Sequence, residues 1–250
     1  MEETDVKRGD RVNNLVSAEE KERYVKSIFS TIAKRYDVLN TLLSFGLHHH
    51  WKKFAVKLAN LSPGDTALDI CSGTGDLAIL LSKKVGSRGK VVALDFCQEM
   101  LKLAQEKVKA AGIINCNFVY GNAEELKFPA ESFNAVTVGF GMRNVVHIDK
   151  VFREMHRVLK PNGRAICLEF SHPTSPIFRT LYDFYSFKIL PKIGGFISRK
   201  SDAYFYLPNS IREFPSQDEL KIIMEKVGFG EVRYYNLTGG IVAIHLGIKS

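Results

Sequence analysis

No stretch of this 250-residue chain approaches the ~18 consecutive apolar residues that a membrane-spanning helix requires. The first ten residues, MEETDVKRGD, mix both charges and hold no apolar run, so no secretory signal is expected. Cysteine is scarce. Cys71, Cys97, Cys116 and Cys167 show no C-x-x-C spacing and no paired-histidine partner, which leaves neither a zinc site nor a redox dithiol. Each lies in or beside an apolar run, where a free thiol behaves as a small hydrophobe. Internal repeats and low-complexity tracts are absent as well. These absences point to a soluble, cytoplasmic chain. With 45% apolar and 25% charged residues it can bury a real core, and its length suits one full α/β domain with a modest appendage. The formal net charge of +8 admits a nucleic acid or an anionic membrane surface as partner. Only residues 166–200 are dense in it, with five bases against two acids, so charge alone chooses neither.

Residues 1–17 are polar and expected to be flexible. Tyr24, Ile28, Ile32 and Tyr36 recur every four residues, which predicts an amphipathic helix over 18–36; a second is expected over 51–60. These N-terminal helices, 18–60, would cover an active site formed by the domain that follows, 61–250. From Thr66 the period changes. TALDI, VVALD, CNFVY, AVTVGF and RAICLEF are short apolar runs, separated by helix-length segments at 77–85, 98–110 and 149–159. Apolar strands alternating with helices predict a mostly parallel sheet covered on both faces, a Rossmann-like α/β fold. Lys160-Pro161-Asn162-Gly163 reads as a turn before the fifth strand. After a helix over 216–228, EVRYYNL and GIVAIHLGI flank Thr238-Gly239-Gly240 as a hairpin, which makes seven strands and reverses one near the edge. Between 171 and 215 the pattern breaks into an aromatic insertion, helical over 177–190, read as either a helical hairpin on the sheet edge or a lid over an apolar ligand.

The chemistry concentrates at strand ends. In Ala67-Leu-Asp69-Ile-Cys-Ser-Gly73-Thr74-Gly75-Asp76, a strand ends in an acid, turns through glycines and opens a helix. Such glycines let the backbone turn tightly and let a ligand reach main-chain N–H groups. Asp95 closes the second strand about twenty residues on, where an acid accepts hydrogen bonds from ribose hydroxyls or else starts the next helix. Asn122 and Ala123 follow the third strand, where Asn122 reads as a contact to an adenine edge or as an ordinary turn residue. A loose dinucleotide fingerprint is satisfied too, which keeps an NAD(P)-dependent oxidoreductase as the alternative. Asp76 counts against it, because a carboxylate there repels a diphosphate but tolerates a sulfonium cation.

The order Asp-x-x-x-Gly-Thr-Gly, Leu-Asp, Asn-Ala-Glu-x-Leu-x-Phe and Arg-Val-Leu-Lys-Pro-Asn-Gly resembles the class I S-adenosylmethionine-dependent methyltransferases. That resemblance implies Asp69 with Gly73, Thr74 and Gly75 near the methionine part of the cofactor, Asp95 followed by Phe96 at the ribose, and Asn122 with Ala123 beside the adenine. Further motifs narrow it: Ala33-Lys-Arg-Tyr36-Asp37, Phe140-Gly141-Met142-Arg143-Asn144, Tyr206-Leu-Pro208 and Asn236-Leu-Thr238-Gly239-Gly240. Together they are similar to the C-methyltransferases of menaquinone and ubiquinone biosynthesis, over essentially the whole chain after residue 20. One departure is Gly139, where many relatives carry Ser, leaving only backbone contacts to the cofactor there. The Asn/Asp-Pro-Pro motif of nucleic-acid amino-methylases is missing, so no nucleic-acid partner is expected.

The implied reaction moves a methyl group from S-adenosylmethionine to a ring carbon of a prenylated quinol. Arg143 and Asn144 are the expected catalytic pair, Arg143 as a fixed positive charge beside a ring oxyanion. Tyr206, Arg212 and His172 are weaker candidates for proton transfer. His48, His49 and His50 cannot all face one ion on a helix, and no metal is expected. A lipid-soluble acceptor implies transient peripheral contact at the inner face of a membrane, with Arg179, Lys188, Lys192, Arg199 and Lys200 of the insertion meeting anionic head groups. Naphthoquinol or benzoquinol, another small aromatic or lipid acceptor, tail length, and monomer or homodimer stay open at this level.

Overall fold

The structure, a computed structural model, describes residues 17–175 and 202–250. The first sixteen residues and most of the expected insertion, including its five basic residues and the helix over 177–190, lie outside the described residues. The strands are β1 (Thr66–Ile70), β2 (Lys90–Asp95), β3 (Cys116–Tyr120), β4 (Phe133–Gly139), β5 (Leu159–Phe170), β6 (Phe229–Leu237) and β7 (Val242–Lys249). They form one sheet in the order β3-β2-β1-β4-β5-β7-β6. Pairing is parallel from β3 through β5, and β7 runs antiparallel to both β5 and β6. The reversed strand expected from the three-residue hairpin is therefore β7, wedged between β5 and the edge strand β6.

The described helices are α1 (Ala18–Ile32), α2 (Tyr36–Leu43), α3 (Leu47–Leu58), α4 (Asp76–Val85), α5 (Gln98–Ala110), α6 (Ile148–Val158), α7 (Asp202–Glu213) and α8 (Gln217–Val227). Alternate strand residues feed two apolar layers, as the two-residue period of a strand requires. Leu68, Ile70, Val136 and Val138 pack with Phe152 and Met155 of α6 and Leu220 and Met224 of α8. Ala67 and Ala135 face the other layer, with Trp51 of α3 and Leu77 and Leu81 of α4. Burial on both faces explains why these strands read as continuous apolar runs. The α8 ends were also legible: Ser216 and Glu219 form a reciprocal capping box, and Gly228 closes the helix at φ 113°.

Three expectations are corrected. The helix predicted over 18–36 ends at Ile32, passes through a 3-10 turn at Ala33–Arg35, and restarts as α2; the next helix begins at Leu47 rather than Trp51. The four-residue spacing runs on through the short 3-10 turn, so periodicity hid the break. Gly46, at φ 75°, then reverses the chain between α2 and α3. Residues 160–163, expected as a turn ahead of the fifth strand, fall inside β5. Leu159 pairs with Phe133 and the next pair is Arg164 with Ala135, so the turn survives as a bulge with Asn162 at φ 63°.

Candidate active site

In an open α/β sheet the carboxyl ends of strands flanking a reversal of strand order leave a crevice. Here β1 has β2 on one side and β4 on the other. At that edge stand Asp69 on β1, Asp95 on β2, Gly139 on β4 and Glu169 on β5. A cleft lined by Asp95 and Gly139 opens there to solvent and, with that solvent space counted, spans roughly 700 Å³, room for a small molecule. Gly73, Asp95, Phe96, Asn122, Ala123, Gly139 and Asn144 all line it, so seven of the sequence-predicted site residues come together. A smaller pocket beside the glycine turn is lined by Asp69, Gly73, Thr74, Asp76 and Lys52. Tyr36 lines both spaces, its ring against the turn: a Cβ on Gly73 would lie 4.0 Å from Tyr36 Cε1.

The glycines are there for backbone geometry. Gly73 and Gly75 lie at φ 56° and 84°, and a Cβ on Gly75 would come within 3.0 Å of Ala104 Cβ on α5. The Gly73 N–H donates to Asp95 Oδ2 at 2.8 Å, tying the turn to the second strand. Asp95 Oδ1 accepts from the Cys97 N–H at 2.8 Å, so the acid organises the start of α5, the second of the two uses expected of it. Burial drives its pKa up to about 6, against the pull of these backbone N–H groups. Asp69 is alike: burial raises it to about 6, although Ser72 and Thr137 each donate a hydroxyl to it at 2.6 Å. Two buried carboxylates held uphill in energy are suited to further donors arriving with a ligand.

Asp76 behaves differently. Burial opposes its charge, but Lys52 and Lys107, each 2.7 Å away, outweigh that and hold it well below the usual carboxylate range. Lys107 also reaches Asp37 at 2.5 Å, and Asp37 accepts from the Thr74 hydroxyl at 2.5 Å. The repulsion of a diphosphate expected from Asp76 is therefore cancelled by its own lysines. A latch from α2 to the glycine turn stands in its place.

Other predicted residues shift in role. Asn122 is exposed, and its Oδ1 accepts from the Glu124 N–H at 2.9 Å, an ordinary Asx turn at the rim of the cleft. Gly139 is required by crowding, since a Cβ there would meet Leu77 Cδ1 at 2.5 Å. Arg143 is not a free charge: its guanidinium donates to Glu169 Oε1 at 2.7 Å and to the Phe140 carbonyl at 2.6 Å, with both partners buried. The Arg143 Nε–H is buried without a partner among the described residues. Asn144 does line the cleft; its Oδ1 accepts from the Tyr206 hydroxyl at 2.8 Å and its Nδ2 donates one N–H to the Phe140 carbonyl at 3.4 Å, which leaves the second N–H over. His172 Nε2 donates to the Phe214 carbonyl, 2.9 Å away, and ties the end of β5 to the end of α7 rather than lining the cleft.

His48, His49 and Asp76 place one ligand atom each within 4.8 Å of one another. Both Asp76 oxygens are already engaged by ammonium groups, and His48 Nε2 lies 3.1 Å from Thr41 Oγ1. Sequence reading passed over Glu169, although it repeats the signal that found Asp69 and Asp95, an acid at the end of an apolar strand. Lys52 and Lys107 carried no local signal at all.

The donor set fits S-adenosylmethionine. Asp95 suits the two ribose hydroxyls, the apolar walls at Phe96, Ala123 and Met100 suit a base, and Lys52 with Asp69 offers both signs to an amino-acid zwitterion. The model of the ubiE/COQ5 methyltransferase family matches residues 17–249. A relative from Escherichia fergusonii named Ubiquinone/menaquinone biosynthesis C-methyltransferase UbiE is 47% identical over 94% of either chain, and one from Escherichia coli O1:K1 is 46% identical over the same share. Among solved structures, a Thermotoga maritima SAM-dependent methyltransferase, described as a possible histamine N-methyltransferase, superposes with TM-score 0.64 at 20% identity, covering 90% of this chain and all of that one. An Aquifex aeolicus SAM-dependent methyltransferase gives 0.60 at 22% identity, over 80% and 89%. These two speak for the fold alone. With the sheet order, the acid-ended strands and the full-length match in agreement, this chain belongs to the ubiE/COQ5 methyltransferase family and is an S-adenosylmethionine-dependent methyltransferase.

Proposed function

We propose that the chain methylates a ring carbon of a prenylated quinol in quinone biosynthesis, demethylmenaquinol or the equivalent benzoquinol. What carries the reading is the 47% identity, over 94% of both chains, to a relative named for that chemistry. The cleft supports it, because Phe29, Tyr36, Met100, Phe140 and Val145 give it an apolar wall beside the polar edge of the sheet.

When bound, S-adenosylmethionine supplies an electrophilic methyl group on a sulfonium. Asp95 would hold its ribose hydroxyls, and Phe96, Ala123 and the turn at Asn122 would flank its adenine. Asp69, Lys52 and the Gly73–Gly75 backbone would take its amino-acid end, with Gly139 allowing close approach. A quinol carbon becomes nucleophilic when the neighbouring hydroxyl ionises, and that phenol starts near a pKa of ~10. Asn144 would offer the resulting oxyanion the Nδ2 N–H that its 3.4 Å bond to the Phe140 carbonyl leaves over, and Tyr206 fixes the amide by donating to its Oδ1. Arg143, neutralised by Glu169, acts through its fixed donors and as the support of the Phe140–Asn144 turn rather than as a bare positive charge. Residues of α1 and α2 cover the cleft and exclude water from the oxyanion. The acceptor's prenyl tail implies transient peripheral contact of a cytoplasmic protein with the inner face of a membrane.

Labelled S-adenosylmethionine offered with a panel of short-tailed demethylated quinols and small phenols tests this reading. Methylation of a quinol ring carbon is expected. Transfer only to phenol oxygens, or to none of the panel, would overturn it.

A further inference from the structure

Seven large apolar residues are conspicuously exposed among the described residues, and four of them crowd one corner: Val38 (65%), Leu42 (46%), Phe45 (80%) and Leu47 (42%). The other three, Ile114, Tyr120 and Ile222, are scattered over α8 and the β3 region. Val38 and Leu42 are one helical turn apart on α2, so they share a face. The chain then folds back tightly: the Gly46 N–H donates to the Thr41 carbonyl at 2.8 Å and the Leu47 N–H to the Ser44 carbonyl at 2.9 Å. That brings Phe45 and Leu47 to the tip beside Leu42. Clustered exposed apolar side chains of this kind mark an interaction surface, whereas scattered ones do not.

We propose that this α2–α3 corner docks on an anionic lipid bilayer and holds the mouth of the cleft against it; the proposal rests on the quinol reading above. The charges around the corner select the partner. Lys34 and Arg35 precede it, and the exposed Lys53 and Lys57 follow on α3, against the single acid Asp37, which is bound to Lys107 and Thr74. Apolar side chains ringed by bases suit the head-group boundary of an acidic leaflet. The inward side of the same helix supplies the reason for docking there. Tyr36 lines the cleft and Leu39 is buried, so α2 touches lipid with one face and the site with the other. No helix among the described residues is long and apolar enough to cross a membrane, so docking would be peripheral.

The test uses the full chain and sedimentation with vesicles of phosphatidylcholine, with and without phosphatidylglycerol. Wild type should bind the anionic vesicles and release from them in high salt. The double variant Leu42→Glu/Phe45→Glu should bind about tenfold more weakly or worse, while Ile114→Glu, as exposed but elsewhere, binds as wild type. The double variant should still methylate a water-soluble short-tailed quinol at the wild-type rate, and lose turnover only on a long-tailed quinol carried in vesicles. Vesicle binding unchanged in the double variant overturns the proposal. So does a patch that light scattering shows to be closing a dimer, with Leu42→Glu/Phe45→Glu giving monomers and leaving vesicle binding intact. Patch-dependent vesicle binding by a chain that methylates no quinol would support the docking face and sink the acceptor reading, so the two fail separately.

Discussion

The two ends of the cleft handle buried charge in opposite ways. At the β1–β2 end, Asp69 and Asp95 are buried acids with hydroxyl and backbone donors but no direct ammonium partner, and both are pushed up to about 6. At the β4–β5 end, Glu169 is equally buried but locked onto Arg143, which in turn braces the Phe140 carbonyl. The first end is incomplete and gains from whatever brings donors. The second is self-sufficient and gains nothing from a ligand except through Asn144 and the spare Arg143 N–H. We propose that binding energy is concentrated where the chain leaves carboxylates underpaired, and that shape is held where it pairs them.

Breaking the self-sufficient end should have the largest effect. Glu169→Ala strands a buried guanidinium and should lower unfolding free energy by about 3–5 kcal/mol in urea titration; Glu169→Gln, which still accepts a hydrogen bond, should lose less. Equal, small losses in both variants would mean that the pair is not buried in solution. At the incomplete end, Asp95→Ala should weaken S-adenosylhomocysteine binding ~10- to 150-fold by calorimetry, the loss of charge-assisted bonds worth about 1.5–3 kcal/mol. Its effect on the stability of the free protein should be smaller than that of Glu169→Ala.

pH sharpens the contrast. Asp95 must be ionised to accept ribose hydroxyls well, so affinity for S-adenosylhomocysteine should rise as pH climbs through about 6 and level off above it. In Asp95→Asn that slope should flatten, leaving only the share owed to Asp69. Stability follows the opposite sign. A carboxyl that titrates near 6 when folded and near ~3.9 when unfolded binds more protons in the folded state between those values, so its contribution falls as pH rises through that window. His48 and His245, lowered by burial to about 4, contribute in the other direction over the same range. The clean measurement is therefore a difference: Asp95→Asn should gain stability relative to wild type from pH ~4 to ~6. A flat difference would place the Asp95 titration elsewhere. The smallest effect belongs to the half-exposed latch. Asp37→Ala should cost about 1 kcal/mol or less in thermal unfolding, because solvent screens its bond to Lys107.

How far the site was legible follows from the kind of signal each residue leaves. Asp69 and Asp95 stood out because an acid ending an apolar strand breaks a strong local pattern, and the glycines between them announce a turn. The hairpin and the reversed β7 followed from a three-residue connection too short for a crossover. The break between α1 and α2 was hidden because a 3-10 turn preserves spacing. Asn122 stayed open between a ligand contact and a turn, since both uses share one local sequence; the structure shows the turn and sets it at the rim of the cleft. The state of Asp76 was beyond reach, because Lys52 and Lys107 lie 24 and 31 residues away and ion pairs carry no period.

Local order, by contrast, needed nothing but the chain: strand and helix follow from where apolar side chains fall along a period of two or nearly four, and the acid-and-glycine turn follows from steric freedom within a few residues. Which charges are neutralised, which donors stay free, and which apolar residues remain on the outside depended on elements distant in sequence meeting at one edge. Asn144 finds Tyr206 across 62 positions and Arg143 finds Glu169 across 26. Coulomb and hydrogen-bond energies depend on distance in space, and separation along the backbone does not encode it.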